Sequence, residues 1–565
     1  YALDGGTVNA NLGSGTLTSV GQSLLNGSAA AGQVAVNGGR LMLAGANRLI
    51  AAPSVSVRAG AILAMGGDQE IGLLDGAGAV DLASFTLSTG ARGDSTFSGT
   101  LGGTGGLVKL GGTTFTLGGS STYSGTTRVN EGTLAVLGTL ASGQVKVDGG
   151  TLALAANERL DNAAALSVAS GAFVTLAGDE TVASLALAGT LGGSGTLSAA
   201  TYALDGGTVN ASLGAGSLQS VGDSTINGTL GATTAVVNAG TLSLMAANRV
   251  ADHTDIEVAR DATLSLVGSD TVGSLLLKGT LSGSGTLSAT HYTLDGGTVL
   301  ANLGTGDLLS TGNSLLMGTA ASDTVLVNGG ALILAAADRL VGLPAVTVSA
   351  GAMLQMDAAQ AIGSLAGAGH VALGSFALST GTRGDSRFDG VLSGSGGLVK
   401  LGDSHFALGG LNSYTGSTMV EGGTLLLAGT LASRDVQVNQ GNLALGAADR
   451  LADNADITVA RGAALTLNGD DTVASLMLSG TLAGNGTLTA TTYVLDGATV
   501  DATLGAGNLH TVGNTTLNGR SAADTVWVDS GTLTLGRENL FTALPFGPAV
   551  TVASGATLAL GASQA

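Results

Sequence analysis

Val145-Lys-Val-Asp-Gly-Gly-Thr-Leu-Ala-Leu154 alternates apolar and polar residues, turns on a glycine pair, and alternates again. Successive strand side chains point to opposite faces, so Val145, Val147, Leu152 and Leu154 fall on one side of two short strands joined by a corner. Glycine takes the positive φ values of such a corner without strain, whereas β-branched residues cannot. Variants of the stretch recur with the second glycine position at Gly39, Gly150, Gly240, Gly330, Gly441 and Gly531. The steps between them are 111, 90, 90, 111 and 90 residues, so one full cycle is 291 residues. A second marker agrees: Tyr1-Ala-Leu-Asp-Gly-Gly-Thr-Val8 returns, with small changes, at Tyr202, Tyr292 and Tyr493. The register holds without a gap until about Leu535, after which the last copy gains three residues in Leu540–Pro548. Self-similarity at a fixed period marks a solenoid.

The long step exceeds the short one by 21 residues. A solenoid tolerates an insert only if the neighbouring coils keep their places, which reads as one whole coil. On that reading 90 residues are four coils, 111 are five, and a cycle is thirteen coils of about 22 residues, stacked ~4.8 Å apart. The expectation is an all-β fold, a right-handed parallel β-helix (β-solenoid) forming a single continuous rod of about 25 coils. Residues 1–291 would form the first cycle and 292–565 the second, incomplete one. Whole coils would also bring equivalent residues of the two cycles to the same side. Helix is not expected, since no stretch keeps i, i+3, i+4, i+7 apolar spacing without a glycine breaking it.

Composition narrows the class. Of 565 residues 96 are glycine and 4 proline, aromatics are 3 % and charged residues 10 %, yet 44 % are apolar. Collagen is excluded by the absence of glycine at every third position. Membrane-spanning helices are excluded because no run of ~18 apolar residues occurs. The net charge is −19, and no basic stripe exists, which speaks against nucleic acid and anionic membrane surfaces as partners; direct membrane insertion is not expected either. Zero cysteines removes disulfides and thiolate chemistry and suits a chain exported unfolded. No signal peptide opens the sequence, which begins at Tyr1 inside a repeat and is read as a piece of a larger protein.

The long module carries a more particular segment, Phe97-Ser-Gly-Thr-Leu-Gly-Gly-Thr-Gly-Gly-Leu-Val-Lys-Leu-Gly-Gly-Thr-Thr-Phe-Thr-Leu-Gly-Gly-Ser-Ser-Thr-Tyr-Ser-Gly-Thr-Thr-Arg-Val-Asn-Glu-Gly-Thr-Leu134. It resembles the passenger-associated transport repeat of type V autotransporters, through Gly105, Gly106, Leu107, Lys109, Gly111, Leu117, Tyr123, Gly125, Thr126, Gly132 and Leu134. A second copy runs from Phe388 to Leu425, with Gly396, Gly397, Leu398, Lys400 and Tyr414 in the same places. Leu110 and Phe115 depart from the usual pattern. The resemblance implies an exported passenger on a right-handed β-helix, located at the bacterial cell surface, with adhesion or surface fibres as the commonest roles. It also implies a C-terminal β-barrel translocator as partner.

Arg92-Gly93-Asp94 and Arg383-Gly384-Asp385 are the sharpest candidate receptor-binding residues, since an exposed Arg-Gly-Asp looks like the integrin-recognition tripeptide. A plain solvated turn competes with that reading. Asp68, Asp179 with Glu180, Asp270, and Asp470 with Asp471 recur in one column. Calcium needs six to eight converging oxygens, and acids spaced whole coils apart read instead as solvated turns. Arg48, Arg159, Arg249, Arg339 and Arg450 each follow Asn, Glu or Asp, which suggests local hydrogen bonding; Leu540 stands there in the sixth copy. Five histidines share no column, and Gly402-Asp-Ser-His405 has no geometry for a hydrolase. No catalytic residue, metal site or cofactor is expected. The functional expectation is an adhesin passenger that attaches to host cells, surfaces or other bacteria through an unidentified receptor. The alternative is a structural fibre that self-associates end to end or side by side. A glycan-cleaving enzyme would need convergent carboxylates, which the dispersed acids do not supply.

Overall fold

The computed structural model describes residues 1–537, 541 and 548–561. Every regular element among them is a strand, and the pairings between strands are parallel. The chain forms two compact units, Tyr1–Leu275 with Gly279–Leu287, and Leu276–Lys278 with Ser288–Ala565. The class is the expected one, a parallel β-solenoid, with about 30 turns rather than about 25.

In the first unit a coil consists of three short strands, for example Leu87–Thr89, Ser95–Phe97 and Thr100–Gly102. Each pairs with its counterpart one coil on or back: Leu87 with Leu107, Ser95 with Phe115, Leu101 with Val80. The second unit repeats the plan with Leu378–Thr380, Ser386–Phe388 and Val391–Ser393. Alternation along each strand sends one set of residues inward, so Val145, Val147, Leu152 and Leu154 are buried while Lys146 faces out. Burying such an aliphatic side chain contributes about 1.5–3 kcal/mol. The core is therefore a stack of similar thin layers, filled mainly by aliphatic side chains with few aromatics.

Corners explain the marker glycines. All six (Gly39, Gly150, Gly240, Gly330, Gly441, Gly531) have φ between 59° and 73°. A Cβ at Gly150 would collide with the Gly132 carbonyl of the preceding coil. Left-handed backbone and close approach of the neighbouring coil both demand glycine here.

The 90-residue module holds five coils, not the expected four. From Gly150 to Gly240 the inward ladder runs Val147, Val168, Leu187, Leu204, Ser220, Val237, which is five coils in 90 residues. From Gly39 to Gly150 it runs Val36, Val57, Gly76, Phe97, Leu117, Val136, again five coils. The chain then passes a further face at Leu140 before reaching Val147, so the long module spans five and two-thirds coils. The second unit does the same. Val327 to Leu427 takes five coils, followed by the face at Leu431 and then Val438. Val438 to Val528 takes five.

The 21-residue block is thus not a whole coil. A solenoid with three similar faces has a corner after each one, and any whole number of faces can be inserted without breaking the ladders. The whole-coil premise behind the expected same-side placement of equivalent residues therefore does not hold.

Candidate functional site

The marked leucines, lysines and tyrosines of the two transport-repeat segments lie inside the solenoid. Lys109 and Lys400 point into the core and are fully buried. The Lys109 Nζ donates to the carbonyls of Leu110 (2.8 Å), Gly111 (2.6 Å) and Glu131 (3.2 Å). Lys400 does the same to Leu401 (2.8 Å), Gly402 (3.0 Å) and Gly422 (3.3 Å). Three donors meet three acceptors, two from the lysine's own corner and one from the coil that follows. Burial lowers the pKa of each ammonium, partly opposed by Glu131 and Asp94 at Lys109 and by Asp403 and Asp385 at Lys400. Each lysine is a staple between coils.

Tyr123 and Tyr414 fill the same layer of each repeat and are fully buried. Their hydroxyls hydrogen-bond Thr127 (2.5 Å) and Thr418 (2.7 Å), and burial pushes both phenols well above their ordinary range. Leu107 and Leu398 are core residues. Gly105 and Gly396 sit where a Cβ would strike the carbonyls of Phe85 and Phe376, and Gly106 and Gly397 abut Thr126 and Ser417. The motif therefore encodes a coil-stacking device with a backbone floor.

The Arg-Gly-Asp tripeptides lie on exposed corners beside these staples, but their charged groups are engaged along the solenoid. The Arg92 guanidinium donates to the Ala51 carbonyl at 2.9 Å, and Asp94 accepts the Thr114 amide at 2.7 Å one coil on. Arg383 donates to the Asp323 carbonyl at 2.6 Å and pairs with its carboxylate at 3.1 Å. Asp385 accepts the His405 amide at 2.8 Å. The central glycines differ, with φ of 138° at Gly93 and 70° at Gly384. In each copy the arginine and aspartate are drawn apart, one backward and one forward along the stack.

The arginine and acid columns form a second device that the sequence reading resolved only in part. Asn47, Glu158, Asn248, Asp338 and Asp449, the residues before the arginines, all adopt positive φ between 49° and 55°. That explains the choice of short polar residues at most copies, since Asn and Asp tolerate this region best. Four of the arginines then lace back to carbonyls of the preceding coil, as Arg159 does to Leu137 at 2.7 Å and Arg249 to Asn227 at 2.9 Å. Twenty-one residues after each arginine stands Gln69, Glu180, Asp270, Gln360 or Asp471, and all five are buried. Glu180 accepts the amides of Arg159 and Leu160, both at 2.8 Å. Asp270 and Asp471 accept those of Arg249 and Arg450, both at 2.7 Å.

These acids are backbone caps in the core wall, not solvated turns. Desolvation raises the pKa of Glu180, Asp270 and Asp471 against the pull of those amides. Their neighbours Asp68, Asp179 and Asp470 do sit at exposed corners, each accepting a threonine amide of the next coil. The sequence reading merged the two sets because they are adjacent. Leu540 and most of the Leu540–Pro548 insertion lie outside the described residues.

The family model of the passenger-associated-transport-repeat matches residues 107–136 and 398–427, the two stapled segments. No curated protein and no solved structure matches the chain. The chain is a parallel β-solenoid carrying two passenger-associated transport repeats, and in both respects it is similar to an autotransporter passenger.

Proposed function

We propose that the chain is part of an exported adhesin passenger, a solenoid at the bacterial cell surface whose outer faces attach to host cells, surfaces or other bacteria. The transport repeats supply the export half of this reading. One observation carries the attachment half. At the marker strand the inward residues are valine or alanine in all six copies, while the outward residue between them is Ala35, Lys146, Val236, Leu326, Gln437 and Trp527 in turn. A fibre built by self-association of like modules reuses one surface, whereas recognition surfaces diversify over a constant core. A translocator at the C-terminal side, an unidentified receptor and the absence of catalysis belong to the same proposal. Flow of cells over the immobilised chain tests it. Adherence that saturates and is competed by soluble chain is the expected result, and binding of the chain only to itself would favour the structural-fibre reading.

A further inference from the structure

We propose that the groove over the first transport repeat binds an anionic sugar, a carboxylated or sulfated glycan unit. The motif's own sterics create the groove. Gly105 and Gly125 cannot carry a side chain, because a Cβ on either would collide with the carbonyl of the coil beneath, Phe85 and Gly105 respectively. The floor is therefore bare backbone. Around it stand Ser84, Thr86, Thr104, Thr126, Arg128 and Lys146, enclosing about 460 Å³, within the usual range for a small-ligand site. Hydroxyls and backbone suit a polyhydroxylated ligand, and the two cations select its charge.

Those cations are placed against the fold's interest. Arg128 and Lys146 are directly opposite each other on adjacent strands. Like charges in that relation are destabilising, and the chain has only 20 cations to spend over 565 residues with a net charge of −19. Asp148 pairs with the Arg128 Nε, and Asn130 accepts from the same nitrogen at 3.1 Å, which fixes the guanidinium while its terminal nitrogens make no hydrogen bond among the described residues. Asp148 itself does not line the groove. The Lys146 ammonium has no hydrogen bond or ion pair among the described residues. A carboxylate or sulfate between the two cations would relieve their repulsion and complete both donor sets.

The second transport repeat is an internal control. It keeps the glycine floor at Gly396 and Gly416 and the cross-strand pair, but the paired residues are Met419 and Gln437. The core device is the same in both repeats, and the cations are particular to the first. Stacking alone does not require them.

The inference rests on the attachment reading for its setting, but its test uses the isolated chain. Calorimetric titration with a sulfated hexasaccharide, an oligogalacturonate and neutral maltohexaose is expected to show binding of at least one acidic ligand and none of the neutral one. Arg128→Met with Lys146→Gln, the residues that the second repeat carries, should weaken that binding at least tenfold with an unchanged circular dichroism spectrum. Met419→Arg with Gln437→Lys should add a second site and double the stoichiometry, an arm that decides the matter even if the first variant folds poorly. Unchanged affinity in the first variant, equal binding of maltohexaose, or no binding of either acidic sugar would overturn the proposal. Any of these alongside intact cell adherence would leave attachment to another surface of the chain.

Discussion

Glu180 offers a direct test of whether the buried acids are caps. Its carboxylate is the partner of two buried amides, those of Arg159 and Leu160. Glu180→Ala orphans both, at about 1–3 kcal/mol each, so the coil should lose about 2–6 kcal/mol. Because solenoid stability is a sum over neighbouring coils, the loss should be local. Hydrogen exchange at Arg159 and Leu160 should accelerate by at least about 30-fold, the equivalent of roughly 2 kcal/mol. Glu180→Gln should behave otherwise, because Gln69 and Gln360 already occupy this position. Each accepts the arginine amide at 2.9 Å, and each donates to two carbonyls that a carboxylate cannot serve.

The pH dependence separates the two charge states. Burial raises the Glu180 pKa, so the folded chain binds that proton more readily than the unfolded one. The associated stability is fully present below the unfolded glutamate value of ~4.3 and is lost as pH rises through the folded one. Wild type should therefore lose stability relative to Glu180→Gln as pH rises above about 4. A difference that is flat, or that runs the other way, would mean that the two amides match or outweigh burial at this carboxylate. A Glu180→Ala chain whose two amides exchange at the wild-type rate would refute the capping account.

Three further outcomes follow from the same geometry. Lys109→Met should strip the donors from three carbonyls and destabilise the Lys109 and Glu131 coils by about 2 kcal/mol or more, read as faster amide exchange there and not in the second repeat. Gly150→Ala, with φ +67° and a Cβ colliding with Gly132, should open its corner to limited proteolysis, whereas Gly143→Ala, with open space around it, should not. Asp94→Ala with Asp385→Ala removes one accepted amide each and should leave the circular dichroism spectrum unchanged; cell adherence that survives the double change would assign these loops to coil stacking alone.

How much of this was legible before the structure depended on whether the signal was periodic. The class was legible because Val-x-Val and Leu-x-Leu around a glycine corner report the inward face directly, and the strand ladders keep that alternation at every coil. Lys109 and Tyr123 were identifiable as motif residues, but their burial was not, since a lysine in an alternating strand reads as outward until its three carbonyl acceptors are seen. The caps at Gln69, Glu180, Asp270, Gln360 and Asp471 were hidden by their chemistry. Amide and acid share one geometric task, so a search for charge found three of five and assigned them to solvent. A search for any side chain with an acceptor 21 residues after each arginine would have found all of them.

The coil count went astray for a different reason. Sequence period measures where residue types recur, whereas a solenoid's register is kept face by face, and the two coincide only when a module is a whole number of coils. The 90-residue modules satisfy that condition, with Val147 and Val237 on one face. The 111-residue modules do not, and Val36 and Val147, equivalent in sequence, stand on different faces of the first unit, as Val327 and Val438 do in the second. The long module is also the one that holds the transport repeat, with its lysine staple and glycine floor. Each transport repeat thus hands the following modules to a new face. Within a unit, side chains that the sequence stacks in a single column are dealt to different sides of the solenoid, which multiplies the surfaces that one repeated sequence can present.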